Sequence, residues 1–378
     1  MDFSLSEEQQ AVRDLASQII GEISTPEHLT EIERAQDPKG PFDAGLWSAL
    51  AEAGLLGIAV AEDAGGQGLD FVALAQVVGV VGSVAAYVPV VETLVSVADT
   101  IDRHGSAEQR AAWLPRIADG SLIGTAATAE FVGDLVTEGL SSPATTATAS
   151  GDGWVLEGVK ACVPSGLRAE LVLVPATLAD GGVGLFLVDT ADVTVERQDG
   201  PLLPEATMTL SGVGVGGDRL LGGQGADGRA ILDSLAIRTT AALCALEAGA
   251  ARSALTLGAT YTSEREQFGK KVATFQAVGQ RLGDAYVDAE AISLTAAQAV
   301  WRIAQGEDAT DAVAIAKFWA AEGGQRVVHA ATHVHGGVGV DREYPLHRYF
   351  LLTRQIELTL GGATQSLLAL GARTAASA

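Results

Sequence analysis

Apolar positions recur at helical spacing near the start of the chain, where Val12, Leu15, Ile19 and Ile20 follow the segment Ser6-Glu-Glu-Gln9. That segment fits a capping box: the Ser6 hydroxyl can accept from an orphan amide while the Gln9 side chain reaches back. Residues 46–56 form a second amphipathic run, and Ser106 opens a short helix with Pro115 near its end. Residues 71–98 are the most apolar stretch, interrupted by Gln76, Ser83, Pro89 and Glu92. Pro89 breaks a helix interior, so the stretch predicts two packed helices rather than a membrane span. Near residue 122 the pattern changes to short β-branched runs between turn residues: Trp154-Val-Leu-Glu-Gly158, Leu171-Val-Leu-Val174, Gly184-Leu-Phe-Leu-Val188 and Val193-Thr-Val195. These predict a small all-β domain. From about residue 226 the helical pattern returns, and 231–262 and 274–305 contain no proline. A helix of ~30 residues spans ~45 Å, the length of a bundle. The expected fold class is α+β multidomain. It comprises an N-terminal helical domain (1–121), a central β domain (122–225) and a C-terminal four-helix bundle (226–378), with the glycine-rich 222–228 as a joint.

Composition narrows the partners. Asp and Glu number 47 against 24 Lys and Arg, a formal net charge of −23, which repels a phosphate backbone or an anionic membrane surface. Nucleic acid is therefore not an expected partner. Cys162 and Cys244 are the two cysteines and have no metal-type spacing. They read as reduced thiols of a cytoplasmic protein. The N-terminus shows no basic region followed by an apolar run, so no signal peptide is expected.

Two places carry chemistry. Arg265-Glu-Gln-Phe-Gly269 follows a long helix, with Phe275-Gln276 just beyond. Arg265 suits a solvated helix-end cation first, and near the glycine that ends the helix its planar fork could also clamp a diphosphate. Ala331-Thr-His-Val-His-Gly-Gly-Val-Gly339 is a second glycine-rich point, where backbone can approach a phosphate. His329 and His333 share a helix face, so a metal site is conceivable, but no cysteine is near and no metal is expected. Pro345 suits the first turn of a helix ending near Leu360, where Gly361-Gly362 stops it.

Arg-Glu-Gln-Phe-Gly, Phe-Gln-Ala, His-Gly-Gly-Val-Gly and Tyr-Pro-Leu-His-Arg-Tyr, in this order and spacing, resemble the C-terminal domain of acyl-CoA dehydrogenases. Pro26-Glu-His28, Gly65-Gly-Gln-Gly68 and the helical–β–helical order extend the resemblance over nearly the whole chain. More narrowly, the chain is similar to the base-lacking subunit of actinobacterial steroid side-chain acyl-CoA dehydrogenases, which are heterotetramers of two copies of each subunit. The resemblance implies α,β-dehydrogenation of an acyl-CoA by FAD, with an electron-transfer flavoprotein as acceptor. The reaction needs a carboxylate base. At one family position for that base stand Leu360 and Gly361. At the other stands Thr239, followed by Thr240 where an Arg is usual. No catalytic residue is therefore assigned here.

The family cradles the flavin ring with two segments that here read Thr128-Ala-Glu-Phe-Val-Gly-Asp134 and Cys162-Val-Pro164; a Trp is lost, and Pro164 has no N–H to donate. The family's adenosine and pyrophosphate contacts map to Arg265, Gln267, Phe268, Phe275, Gln276, Gly336 and Gly337, with His333 where a Gln is common. The resemblance thus implies a subunit that lends its phosphate-binding half to the FAD of a homologous catalytic partner. Two rivals stay open. One is a self-sufficient enzyme with a relocated base, Glu247 or Glu357, although Glu357 also suits a pair with Arg354. The other is a flavin-free acyl-CoA-binding or scaffold protein.

Overall fold

The computed structural model describes residues 3–132, 135–138, 140 and 142–376. Helices α1 (Glu7–Ile23), α2 (Pro26–Arg34), α3 (Ala44–Glu52) and α4 (Phe71–Val84) come first, followed by a π-helix (Val91–Asp99), α5 (Thr100–His104) and α6 (Ala107–Ala118). Strands follow: β1 (Gly124–Ala126), β2 (Ala129–Val132), β3 (Leu135–Glu138), β4 (Thr146–Ser150), β5 (Gly153–Pro164), β6 (Leu171–Leu178), β7 (Val183–Asp189), β8 (Thr194–Gln198) and β9 (Glu205–Gly216). The rest is helical apart from one hairpin: α7 (Gly228–Glu264), β10 (Glu266–Gln267), β11 (Lys270–Lys271), α8 (Gln276–Ala304), α9 (Thr310–Phe318), α10 (Gly324–His335), α11 (Leu346–Leu358) and α12 (Ala363–Ala376). An N-terminal helical domain, a central β-sheet domain and a C-terminal helical domain thus succeed one another, as the sequence pattern predicts.

Local chemistry explains the ends. Capping boxes at Ser6–Gln9 and Ser106–Gln109 start α1 and α6. The 71–98 stretch is indeed two helices. The break falls at Ala85, which adopts φ 52°. Pro89 instead begins the second helix, its carbonyl accepting from Thr93 N–H at 3.0 Å. That second helix is π-wound rather than α. The one strand pair after residue 226, β10–β11, lies where the sequence pattern predicts only helix.

By contacts the chain forms two compact units. The first comprises Met1–Arg34, Phe71–Tyr87 and Thr240–Ala378. Its core is small and aliphatic: Ala250, Ala254, Ala285, Ala289, Ile292, Val327 and Ala331 are buried together. Glycine sets the α4–α7 crossing, because a Cβ on Gly82 or Gly249 would lie 2.0 Å from the facing helix's carbonyl oxygen. Arg348 ties α11 to α2, donating to Glu33 at 2.6 Å and to Thr30 at 2.7 Å.

The second unit comprises Ala35–Asp70 and Val88–Thr239. Its sheet has nine strands with main order β1-β6-β4-β5-β2-β3; β7 pairs with β6, β9 with β5 and β8 with β9. Leu156, Val172, Val174, Phe186, Met208 and Leu210 fill one face. The buried Lys160 ammonium contacts Glu130 Oε1 and donates to the Pro175 carbonyl at 2.7 Å. The π-helix is fastened to β1 by Thr93, whose hydroxyl donates to the Gly124 carbonyl at 3.0 Å.

Candidate functional site

The last turn of α7 leads directly into the β10–β11 hairpin. Arg265 N–H donates to Tyr261 O at 2.8 Å, and Val272 N–H closes the hairpin on Arg265 O at 2.8 Å. Phe268 (φ 54°) and Gly269 (φ 76°) make the turn, as a two-residue hairpin with two positive φ values requires. Phe268 is 91% exposed, its ring meeting Phe275 edge-on with ring centres 6.2 Å apart. Lys270 Nζ lies 4.2 Å over the Phe275 ring, and Gln276 begins α8 facing solvent. Arg265 is exposed, and none of the described residues engages its side chain.

At the far end of α10, Gly336 takes φ 62° and ψ −135°, a conformation open essentially only to glycine. A Cβ on Gly336 or Gly337 would meet nothing within 4 Å, so this turn opens on free space. His335 organises it. Its Nδ1 donates to Ala331 O at 2.7 Å, which leaves Nε2, 3.0 Å from the Tyr344 hydroxyl, as an acceptor. Burial lowers its pKa despite the Ala331 hydrogen bond, so the ring is neutral. It stacks on Tyr261 with centres 4.4 Å apart. Tyr261, one turn before Arg265, therefore holds the hairpin root beside the glycine turn. A free guanidinium and an open glycine turn fit a diphosphate. His333 is exposed beside them. The sequence marks the outward residues but not Tyr261, and it gives Tyr344 only as part of a motif without a role; these two aromatic rings meet His335.

The two positions that the sequence resemblance gives to the base, Thr239 and Leu360-Gly361, hold no carboxylate. The buried Thr239 hydroxyl lies 3.0 Å from the Ser96 hydroxyl of the π-helix. Beside it, Arg238 Nη2 donates to Asp99 at 2.6 Å in a buried ion pair. In the other unit α11 ends at Leu358, and Leu360 (φ 57°) and Gly361 (φ 88°) turn the chain in the left-handed region. Glu247 is wholly buried, accepting from the Thr353 hydroxyl at 2.9 Å, and burial pushes its pKa up to about 8. Glu357 accepts from Arg354 and Gln325, both at 2.6 Å.

In the β domain, Cys162 sits at φ 47°, and its N–H is spent on Gln198 Oε1 at 3.0 Å. Pro164 donates nothing, and its carbonyl already accepts from the Thr125 hydroxyl at 2.6 Å. Of the segment 128–134, Gly133 and Asp134 lie outside the described residues. Glu130, in the same segment, is turned inward to Lys160. Among the described residues of this wall, neither Cys162 nor Pro164 offers a free N–H to the polar edge of a flavin ring. Glu205, to which the sequence reading gives no role, adjoins Cys162; burial first, then the Glu205 charge, pushes the Cys162 thiol up, and burial first, then Glu205, raises Glu92. The signal for Glu92 was its position as a carboxylate inside the most apolar run of the chain.

Comparison with known proteins agrees with the helical, β, helical order of the fold. Residues 6–121 match the acyl-CoA dehydrogenase N-terminal domain and residues 228–376 the acyl-CoA dehydrogenase C-terminal domain. "Acyl-CoA dehydrogenase FadE27" of Mycobacterium tuberculosis is 35% identical, over 98% of both chains. The chain belongs to the acyl-CoA dehydrogenase family. A chain of the ChsE4-ChsE5 complex from Mycobacterium tuberculosis superposes with a TM-score of 0.91 at 36% identity, over 99% of each chain. A chain of a Tcur3481-Tcur3483 steroid ACAD variant gives a TM-score of 0.90 at 41% identity, again over 99% of each. Among the described residues of this acyl-CoA dehydrogenase family member, no helix is long and apolar enough to cross a membrane. Nor do three or more His, Cys, Asp or Glu side chains gather there as metal ligands.

Proposed function

We propose that this chain is the non-catalytic, FAD-supporting subunit of a heteromeric acyl-CoA dehydrogenase that desaturates a steroid side-chain CoA ester. The observation that carries the reading is the contrast between its two halves. An exposed Arg265 and an open Gly336-Gly337 turn suit a diphosphate, while the β-domain wall offers a flavin ring no free donor at Cys162 or Pro164. Arg265, Gln267, Phe268, Phe275, Gln276, His333, Gly336 and Gly337 would meet the adenosine and pyrophosphate of an FAD held by a homologous catalytic subunit. Flavin supplies hydride acceptance in that partner; this chain's residues bind and orient the phosphate end. The missing base supports the same reading, because a Thr239 hydroxyl bonded to Ser96 cannot take an α-proton at neutral pH. The similarity to chains of the ChsE4-ChsE5 and Tcur3481-Tcur3483 complexes supports a heteromer and a steroid substrate. An electron-transfer flavoprotein is the acceptor proposed for the complex.

The test is flavin stoichiometry. The chain purified alone should carry almost no FAD, and mixing with a catalytic homologue should yield a yellow complex. Arg265→Ala should lower FAD occupancy of that complex, and unchanged occupancy would sink the reading. Leu360→Ala should leave the single-turnover rate nearly intact, since no proton passes there. Near-stoichiometric flavin on the lone chain would instead favour a self-sufficient enzyme.

A further inference from the structure

Between the glycine turn and α11 the chain folds back on α10. Gly339 is buried there, and a Cβ on it would lie 2.6 Å from Thr332 O. Asp341 N–H donates to Val338 O at 3.1 Å and Tyr344 N–H to Asp341 O at 3.2 Å, so successive turns carry the chain to Tyr344. Tyr344 is half-buried against His335, with ring centres 5.0 Å apart. Its hydroxyl lies 3.0 Å from His335 Nε2, the acceptor left over when Nδ1 donates to Ala331 O. Burial first, then Tyr261 and Glu264, raises the Tyr344 pKa, so the hydroxyl keeps its proton and donates. His335 ends α10 and directly precedes Gly336, so this bond restrains the residue from which the turn departs. Tyr344 is itself held from the other side. Its carbonyl accepts from His347 Nδ1 at 2.7 Å. His347 is buried, with Nε2 3.5 Å from Glu33 Oε1 of α2. The same Glu33 accepts from Arg348 Nε at 2.6 Å and from the Tyr87 hydroxyl. Burial pushes the Glu33 carboxyl up, but its hydrogen bonds outweigh that and hold it at about 2, so α2 grips the start of α11 with a carboxylate. The support runs from α2 through residues 344–348 to His335 and the glycine turn.

We propose that Tyr344 is a positioning residue for diphosphate binding: its hydroxyl bond to His335 holds the Gly336-Gly337 turn in the conformation that accepts the phosphates. The inference rests on the reading of that turn as a phosphate site, and it gives the tyrosine a task of its own. A phenylalanine would fill the same space and leave His335 Nε2 without its donor. A turn that must be ordered on binding loses affinity, whereas one held beforehand keeps it.

The test adds FAD to the complex with a catalytic homologue and reads its Kd by flavin fluorescence. Tyr344→Phe, which removes only the hydroxyl, should weaken FAD binding about tenfold, the scale of one hydrogen bond. Hydrogen exchange on the full chain supplies a second readout. Amides 336–344 should exchange about tenfold faster in Tyr344→Phe, while those of α7 and α8 keep the wild-type rate. Faster exchange throughout these helices would mean a general loosening and would overturn the positioning role. So would an FAD affinity equal to wild type in a complex that Arg265→Ala still weakens, and that outcome leaves the functional reading intact. A complex indifferent to Arg265→Ala as well, or no complex at all, would fail the functional reading itself and the positioning role with it.

Discussion

At the scale of single residues, Glu247 shows what sequence can and cannot place. Its position on α7 could be read, and a carboxylate there invites a catalytic role. Its burial could not be read, because α7 is lined with alanine and other small residues that pack on several sides and leave no clear polar face. In the structure the carboxyl is fully enclosed. One oxygen accepts from Thr353, and the other has no hydrogen-bond partner among the described residues. Burial raises its pKa to about 8, with the Thr353 hydrogen bond and Lys317 opposing. The folded chain therefore holds a proton that the unfolded chain releases near its ordinary carboxylate pKa. Stability from this group is fully present below that ordinary pKa and is lost as pH rises towards about 8. Glu247→Gln should remove the loss, gaining on the order of a few kcal/mol over wild type at about pH 8.5 and little at about pH 5. Urea unfolding at the two pH values measures it. Parallel pH dependence in the two proteins would show that Glu247 is not the titrating group.

At the scale of elements, the capping boxes, the long helices and strands β5 to β8 were legible because each follows a local rule of spacing or capping. Strand β9 was not. Its sequence, Glu-Ala-Thr-Met-Thr-Leu-Ser-Gly-Val-Gly-Val-Gly, ends in alternating glycines that read as a loop, yet it pairs along β5 for most of its length. Pairing with two neighbours outweighs the weak intrinsic preference of glycine. Strand β2 was hidden for a different reason, since its order depends on a distant partner. Glu130 of β2 meets Lys160 of β5, and it also accepts from the backbone N–H of Thr145 at 3.0 Å and from the Thr145 hydroxyl at 2.7 Å. Burial lowers the Lys160 pKa to about 8 despite the attraction of Glu130. Burial pushes the Glu130 carboxyl up, but Lys160 and these hydrogen bonds outweigh it and the net shift is downward. Removing one partner strands the other charge in the core. Lys160→Met should cost about 3–5 kcal/mol in denaturant unfolding, and adding Glu130→Gln should recover part of it. A double variant no more stable than the single would mean that the packing of the lysine stem, rather than the stranded carboxylate, sets the cost.

At the scale of the whole molecule, the helical, β, helical order was legible from changes of periodicity. Which distant stretches fold into one compact unit was not, because that depends on contacts such as Gly82 against α7 that no local pattern announces. The −23 charge disfavours nonspecific self-association, and a few large apolar side chains stay exposed all the same. The helical unit leaves Phe268 91%, Val340 72%, Leu368 68% and Val287 63% exposed. Phe268 is the most telling of these, since a left-handed aromatic at a hairpin tip contributes little to its own chain. Phe268→Ser should therefore leave the isolated chain's unfolding free energy within about 0.5 kcal/mol of wild type. If the hairpin is donated to a catalytic partner, the same change removes an aromatic anchor. It should then weaken heteromer formation by about 2 kcal/mol, roughly 30-fold in Kd, with a matching fall in bound FAD. Sedimentation of the mixed subunits gives the first quantity and flavin absorbance the second. A lower stability of the isolated chain with no change in assembly would assign Phe268 to this chain's own fold, and the donated half-site would have to be sought elsewhere on its surface.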